Sequence, residues 1–171
     1  MALAGYTKPC GKTTSGVNSL YLTEKANVTS FTKGSDRDYT SATMTAAAVF
    51  KKYEFDQDQC EFKETVAMAN NAVTVTQVIE FHLDKMGKDA ATAVSDIISA
   101  VYCGIIAIPK STLGTAFVVG YCEEQLKERA YPMIGGEATT GKALGDASGE
   151  TITLTWTTTE KAYTYSGTIP V

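Results

Sequence analysis

His82 is the only imidazole in the chain, and Glu80 and Asp84 flank it at two residues on either side. An imidazole between two carboxylates could hold a metal ion or move a proton. On a strand, however, side chains at i and i+2 stand roughly 7 Å apart on one face. A solvated polar stripe therefore accounts for all three residues without chemistry. Gly11-Lys12-Thr13 imitates the end of a phosphate-binding loop, which needs a first glycine five positions earlier, between a buried strand and a helix. Gly5 lies one residue too far upstream, Pro9 stiffens the segment, and Thr14-Ser15-Gly16 starts no helix. Asp146, Ser148 and Glu150 could bind a cation, but turn formation in a glycine-rich stretch explains them more simply. Cys10, Cys60, Cys103 and Cys122 are far apart, form no C-x-x-C pair, and read as small buried hydrophobes in a reducing compartment. Neither a G-x-S-x-G elbow nor a G-x-G-x-x-G fingerprint occurs. The expectation is a protein that is not an enzyme, with no catalytic residues, no metal and no cofactor.

Bulk properties point the same way. At 171 residues the chain is long enough for one domain with a substantial core. The 44% hydrophobic and 20% charged fractions are those of an ordinary globular protein. A net charge of -4 argues against a broad nucleic-acid-binding face. No apolar run is long enough to span a bilayer. Met1–Lys8 has neither a basic nor an apolar signal-like region, so synthesis and retention in the cytoplasm are expected, short of release by lysis.

The elements that would position these residues are mainly strands. Cys60–Leu83 reads as one long hairpin turning at Asn70-Asn71, since asparagine tolerates the positive φ of a two-residue turn. That turn opposes Met68 to Val73, Val66 to Val75, Phe62 to Ile79 and Cys60 to Phe81, so both arms place their apolar residues on one face. The two exceptions on that face, Glu64 and Gln77, fall opposite each other. The other face carries Gln59, Glu61, Lys63, Thr65, Thr74, Thr76, Glu80, His82 and Asp84. Glu61 facing Glu80 is destabilising unless it is screened, and Lys63 lies diagonally near.

Around this hairpin, residues 1–17 form an arm and 18–171 a single β-rich domain. Asn18–Thr32 is expected as a strand broken near Ala26-Asn27, Lys33–Asp38 as a polar loop, and Ala42–Phe55 as a strand completing a three-stranded meander with the hairpin. Ala90, Val94, Ile97, Ile98 and Val101 follow helical spacing over Lys88–Tyr102, with Asp89 as cap and Gly104 as stop. Gly104–Pro109 and Thr115–Cys122 form a second hairpin about Ser111–Gly114. Tyr131–Gly149 reads as a loop. A last hairpin turns at Thr159-Glu160, setting Trp156 opposite Tyr163 and Leu154 opposite Tyr165. The expected architecture is a β-barrel or β-sandwich of about seven or eight antiparallel strands with one helix.

This order of elements resembles the tail tube proteins of tailed bacteriophages. The likeness spans Asn18–Asp84 as meander, Asp89–Tyr102 as helix and Gly104–Val171 as the remaining strands, and includes the glycine-rich Gly141–Gly149 before an alternating strand. It implies a structural virion protein whose six-fold rings stack into a conduit for DNA, assembled in the host cytoplasm alongside other tail proteins. It also implies that the long hairpin lines the lumen, with Glu61, Glu80, His82 and Asp84 as lumen-facing groups. Passing DNA would then meet an acidic wall without sticking to it. Met1–Val17 and Tyr131–Gly149 would join successive rings. A capsid decoration protein or head–tail connector is the alternative, and a small β-barrel enzyme or ligand-binding protein a more distant one.

Overall fold

The computed structural model describes residues 16–56, 58–123, 125, 127–143, 146 and 148–171. Among these residues, two sheets and one α-helix make up the fold. The smaller sheet has four strands in the order β5-β6-β10-β9, formed by Cys60–Ala69, Ala72–Asp84, Gly149–Thr158 and Met133–Thr139. The larger has seven strands in the order β2-β3-β11-β8-β7-β1-β4. These are Val28–Lys33, Asp38–Met44, Tyr163–Tyr165, Ala116–Val118, Ile105–Ser111, Val17–Glu24 and Lys51–Glu54. All pairings are antiparallel except β3 with β11.

The long hairpin is present in the expected register, from Cys60↔Phe81 to Ala69↔Ala72. Asn70 and Asn71 adopt φ of 51° and 63°, the left-handed pair that a tight turn between right-twisting strands requires. The break in the first strand is a single 3-10 turn, Lys25–Asn27. Helix α1, Lys88–Cys103, ends at Gly104, whose φ of 86° is readily adopted by glycine. Its start differs from expectation. Gly87 occupies the cap position without a side-chain bond, and Asp89 sits inside the first turn, where its charge favours the helix dipole. The hairpin about Ser111–Gly114 forms, closed by the Ser111 N–H to the Thr115 carbonyl at 2.7 Å.

Two expected pairings are replaced. The meander does not form: β3 pairs with β2, and β4 with β1, so the segment before the long hairpin belongs to the other sheet. The polar loop after β2 is also shorter, because β3 already begins at Asp38. The last hairpin is absent as well. β10 lies between β6 and β9 while β11 crosses to β8 and β3, so Trp156 faces Gln77 rather than Tyr163. Finally, Tyr131–Gly149 is not all loop, since Met133–Thr139 forms edge strand β9. The described strands number eleven rather than seven or eight.

The core explains the crossings. Ile105 to Ile108 are all buried, because β7 is covered on both faces. Ile105 and Ala107 join Leu20, Leu22, Ile79, Phe81, Ile152, Leu154, Trp156 and Ile97 of α1 between the sheets. Ile106 and Ile108 point the other way, into a cluster with Val28, Phe50 and the aromatics Phe31, Tyr39, Tyr163 and Tyr165. Trp156 is fully buried and donates its Nε1–H to the Ile105 carbonyl at 3.1 Å, pinning one sheet to the other. Gly120 makes room for it: at φ 81°, a Cβ there would lie 2.6 Å from the Ile105 carbonyl and 2.7 Å from the indole nitrogen.

Candidate functional site

The most distinctive surface is the outer face of the four-stranded sheet. Period-2 alternation directs Ile79, Phe81, Ile152 and Leu154 inward, so their neighbours along β6 and β10 turn outward. Paired residues share a face, which builds rows across the sheet. Lys63, Val78, Thr155 and Met133 form one row; Glu61, Glu80, Thr153 and Gly135 the next; His82, Thr151 and Glu137 a third. The charged side chains on this face are the carboxylates of Glu61, Glu80, Asp84 and Glu137 and the single ammonium of Lys63.

Glu61 and Glu80 do face each other, and both are exposed. Thr153 donates to Glu80 Oε2 at 3.4 Å, which disperses part of that charge. Asp84 is exposed at the end of β6. His82 is placed differently from a solvated stripe: its side chain keeps only 13% of its exposure. The ring packs against Gly149, where a Cβ would come within 2.4 Å of Nε2. Its Nδ1 shares a 3.0 Å hydrogen bond with the Thr151 hydroxyl, and Nε2 stands 3.7 Å from Asp84 Oδ1 without a hydrogen-bond partner among the described residues. Glu80 and Asp84 do not converge on His82 as a ligand set. Among the described residues, no group of three or more His, Cys, Asp or Glu side chains could hold a metal ion.

Glu64 and Gln77, the polar exceptions on the inner face, form a structural network. Gln77 is buried and donates Nε2–H to Glu64 Oε1 at 3.1 Å, and the Ala162 N–H donates to the same oxygen at 2.6 Å. The carboxylate thus ties the hairpin to the connection between β10 and β11. Asp146 is likewise structural. Its Oδ2 accepts the backbone N–H groups of Lys142 and Ala143, each at 2.8 Å, and these bonds hold its carboxyl below the usual aspartate range. Burial pushes the Cys60 thiol up to about 12, and Cys122 is also buried. Cys103 departs from the buried expectation, being exposed in the last turn of α1. Cys10 and the Gly11-Lys12-Thr13 segment lie outside the described residues.

Two grooves flank α1. One, about 410 Å³, runs against β1 and β4 and contains Tyr53, Asp96 and Cys103. The other, about 440 Å³, runs against β9 and is largely apolar, with Val94, Ile98, Ile134 and Ile152. Neither contains an imidazole, because the single histidine lies on the outer sheet face.

Sequence reasoning missed the edges of this sheet. β5 and β9 are its two ends, each with one side unpaired among the described residues. Every residue of β9 is exposed, as is the tip of the long hairpin, where Val66, Met68 and Val73 keep 55%, 68% and 45% of their exposure. The charge-free run Thr65–Thr76 was the available signal for the tip. Glu137 gave none, since its strand has no alternation to read. Among the described residues no helix is long and apolar enough to cross a membrane. Comparison with protein-family models, curated proteins and solved structures found no match to this chain.

Proposed function

We propose that this chain is the structural subunit of a bacteriophage tail tube, joining side by side into six-fold rings that stack into a conduit for DNA. The observation that carries this reading is a pair of edges left open among the described residues, on a sheet with one polar, acidic face. Natural sheets protect exposed edges with charge, proline or covering elements, because unpaired N–H and C=O groups recruit another strand. Here the distal half of β5, Thr65–Ala69, has no charge and no proline, and β9 has only Glu137.

Strand direction supports closure into a ring. The four strands alternate in direction along the sheet, so β5 and β9 run opposite ways. A copy related by rotation about an axis along the wall brings its β5 antiparallel to the first copy's β9. The sheet then continues without a break, and heterologous contacts of this kind close into rings. Six copies, the number taken from the tail-tube resemblance, would give a wall about 45 Å across between backbones at ordinary strand spacing and tilt. That is wide enough for a DNA duplex. Glu61, Glu80, Asp84 and Glu137 would line such a lumen, and like charge keeps a polyanion from adhering. His82, packed against Gly149, contributes less to the lining than its neighbours.

Electron microscopy of the concentrated, purified protein tests the proposal. Hollow tubes or six-fold rings are expected. Trimers would favour a capsid decoration protein, and a protein that stays monomeric at every concentration would refute assembly.

A further inference from the structure

The side-by-side assembly just described leaves open how far one copy slides along the next, and the two edges themselves contain an answer. Within the subunit, Lys63 shares a row with Met133, while Glu137 lies two rows further along. Extending the rows straight into the next copy sets only residues 60–63 of β5 against residues 133–136 of β9. Residues 137–139 of β9 then remain unpaired. Sliding one way by four residues removes all overlap between the strands. Sliding the other way by four sets all of Met133–Thr139 against residues 61–67 of β5.

We propose that neighbouring copies join in this four-residue stagger, with Lys63 of one copy facing Glu137 of the next and Val66 facing Ile134. Three independent features meet in that register. Lys63 and Glu137 are exposed, lie on the same sheet face, and have no ion-pair partner among the described residues of their own subunit. Val66 and Ile134 are exposed apolar residues on the opposite, inward-directed face, 55% and 38% accessible, and would cover each other. The geometry of closure agrees. Four residues of slip are about 13 Å along the strands, against about 19 Å across four strands. Their ratio gives a tilt of about 35°, within the 35–45° range that closed barrels require. A six-residue slip would also use all of β9, but it sets Lys63 against Thr139 and leaves Glu137 facing Thr65. The ion pair selects between them. This inference rests on the proposed ring assembly and adds its register and its electrostatic key.

Charge exchange and cross-linking on the full chain test it. Lys63→Glu and Glu137→Lys should each raise the protein concentration needed for half-assembly about five-fold, the factor expected when an attractive cross-strand pair becomes repulsive. The double exchange should restore assembly to within about two-fold. In a background with Cys10 and Cys103 replaced by serine, Val66→Cys with Ile134→Cys should form inter-copy disulfides under mild oxidation. Directly opposed strand residues fit disulfide geometry. Met68→Cys with Ile134→Cys, which reports the six-residue slip, should cross-link at least ten-fold more slowly. An assembling protein indifferent to both charge variants, or one cross-linked faster through position 68, overturns this register and leaves the tube proposal standing. A wild-type protein that never assembles overturns both.

Discussion

Glu64 offers the sharpest test of how the subunit holds its long hairpin. Its side chain keeps 14% of its exposure, and Oε1 accepts from Gln77 Nε2 at 3.1 Å and from the Ala162 backbone at 2.6 Å. Hydrogen bonds to a charged partner contribute about 1.5–3 kcal/mol each, so the two together supply roughly 3–6 kcal/mol. Keeping a carboxylate partly out of water offsets some of this, by about 1–2 kcal/mol. Lys161 lies 3.6 Å from Oε2 but is 60% exposed, and solvent screening leaves it little effect. Glu64→Ala should therefore destabilise the fold by about 2–3 kcal/mol, since it leaves the buried Gln77 amide and the Ala162 N–H without this acceptor. Urea titration measures the loss directly, and in a chain of this size the melting temperature should fall by about 2–4 °C per kcal/mol. Glu64→Gln retains an acceptor oxygen and should cost only about 1 kcal/mol. The exposed Glu61→Gln, which relieves repulsion from Glu80, should be neutral or stabilising by up to about 0.5 kcal/mol. If Glu64→Ala costs less than Glu61→Gln, the carboxylate does not anchor the hairpin and the network is incidental.

Ile79→Asp should prevent folding, because it sets a carboxylate at a fully buried position between the sheets, whereas Glu80→Gln one residue on should fold normally; circular dichroism of both separates the outcomes. Peptide mapping after iodoacetamide treatment should find Cys103 modified in the native protein, and Cys60 and Cys122 only in denaturant, since burial raises the Cys60 thiol to about 12. Because backbone hydrogen bonds lower the Asp146 carboxyl in the folded protein, its contribution is present above the ordinary aspartate range and is lost as pH falls through the lower, folded value. The amide resonances of Lys142 and Ala143 should report that transition below pH 3.8, and a midpoint above it would refute the bonding. Gly120→Ala should destabilise the fold strongly, by about 3 kcal/mol or more, through its positive φ and its clash with Trp156 and the Ile105 carbonyl; a stability change below 1 kcal/mol would contradict the packing described.

The long hairpin was legible in full because its information is local. Two asparagines suited to positive φ set the turn, and alternation on each arm then determines every facing pair, including Glu61 with Glu80 and Glu64 with Gln77. Helix α1 was legible for the same reason, through its period and Gly104. Sheet membership was not. An alternating strand such as β10 presents the same pattern whether it next pairs with β6 or with β11, and only the two cores decide. Burying both faces of β7 pulls β11 away to cover Ile106 and Ile108, while Trp156 holds β10 to the other sheet. β9 escaped notice because a strand exposed on both faces leaves no alternation to read. Residue order alone thus specified which side chains share the polar face of the hairpin. Tertiary structure decided that this face continues across β10 to Glu137 and stops at two edges unpaired among the described residues, because strand partners far apart in sequence are chosen by packing rather than by turn chemistry.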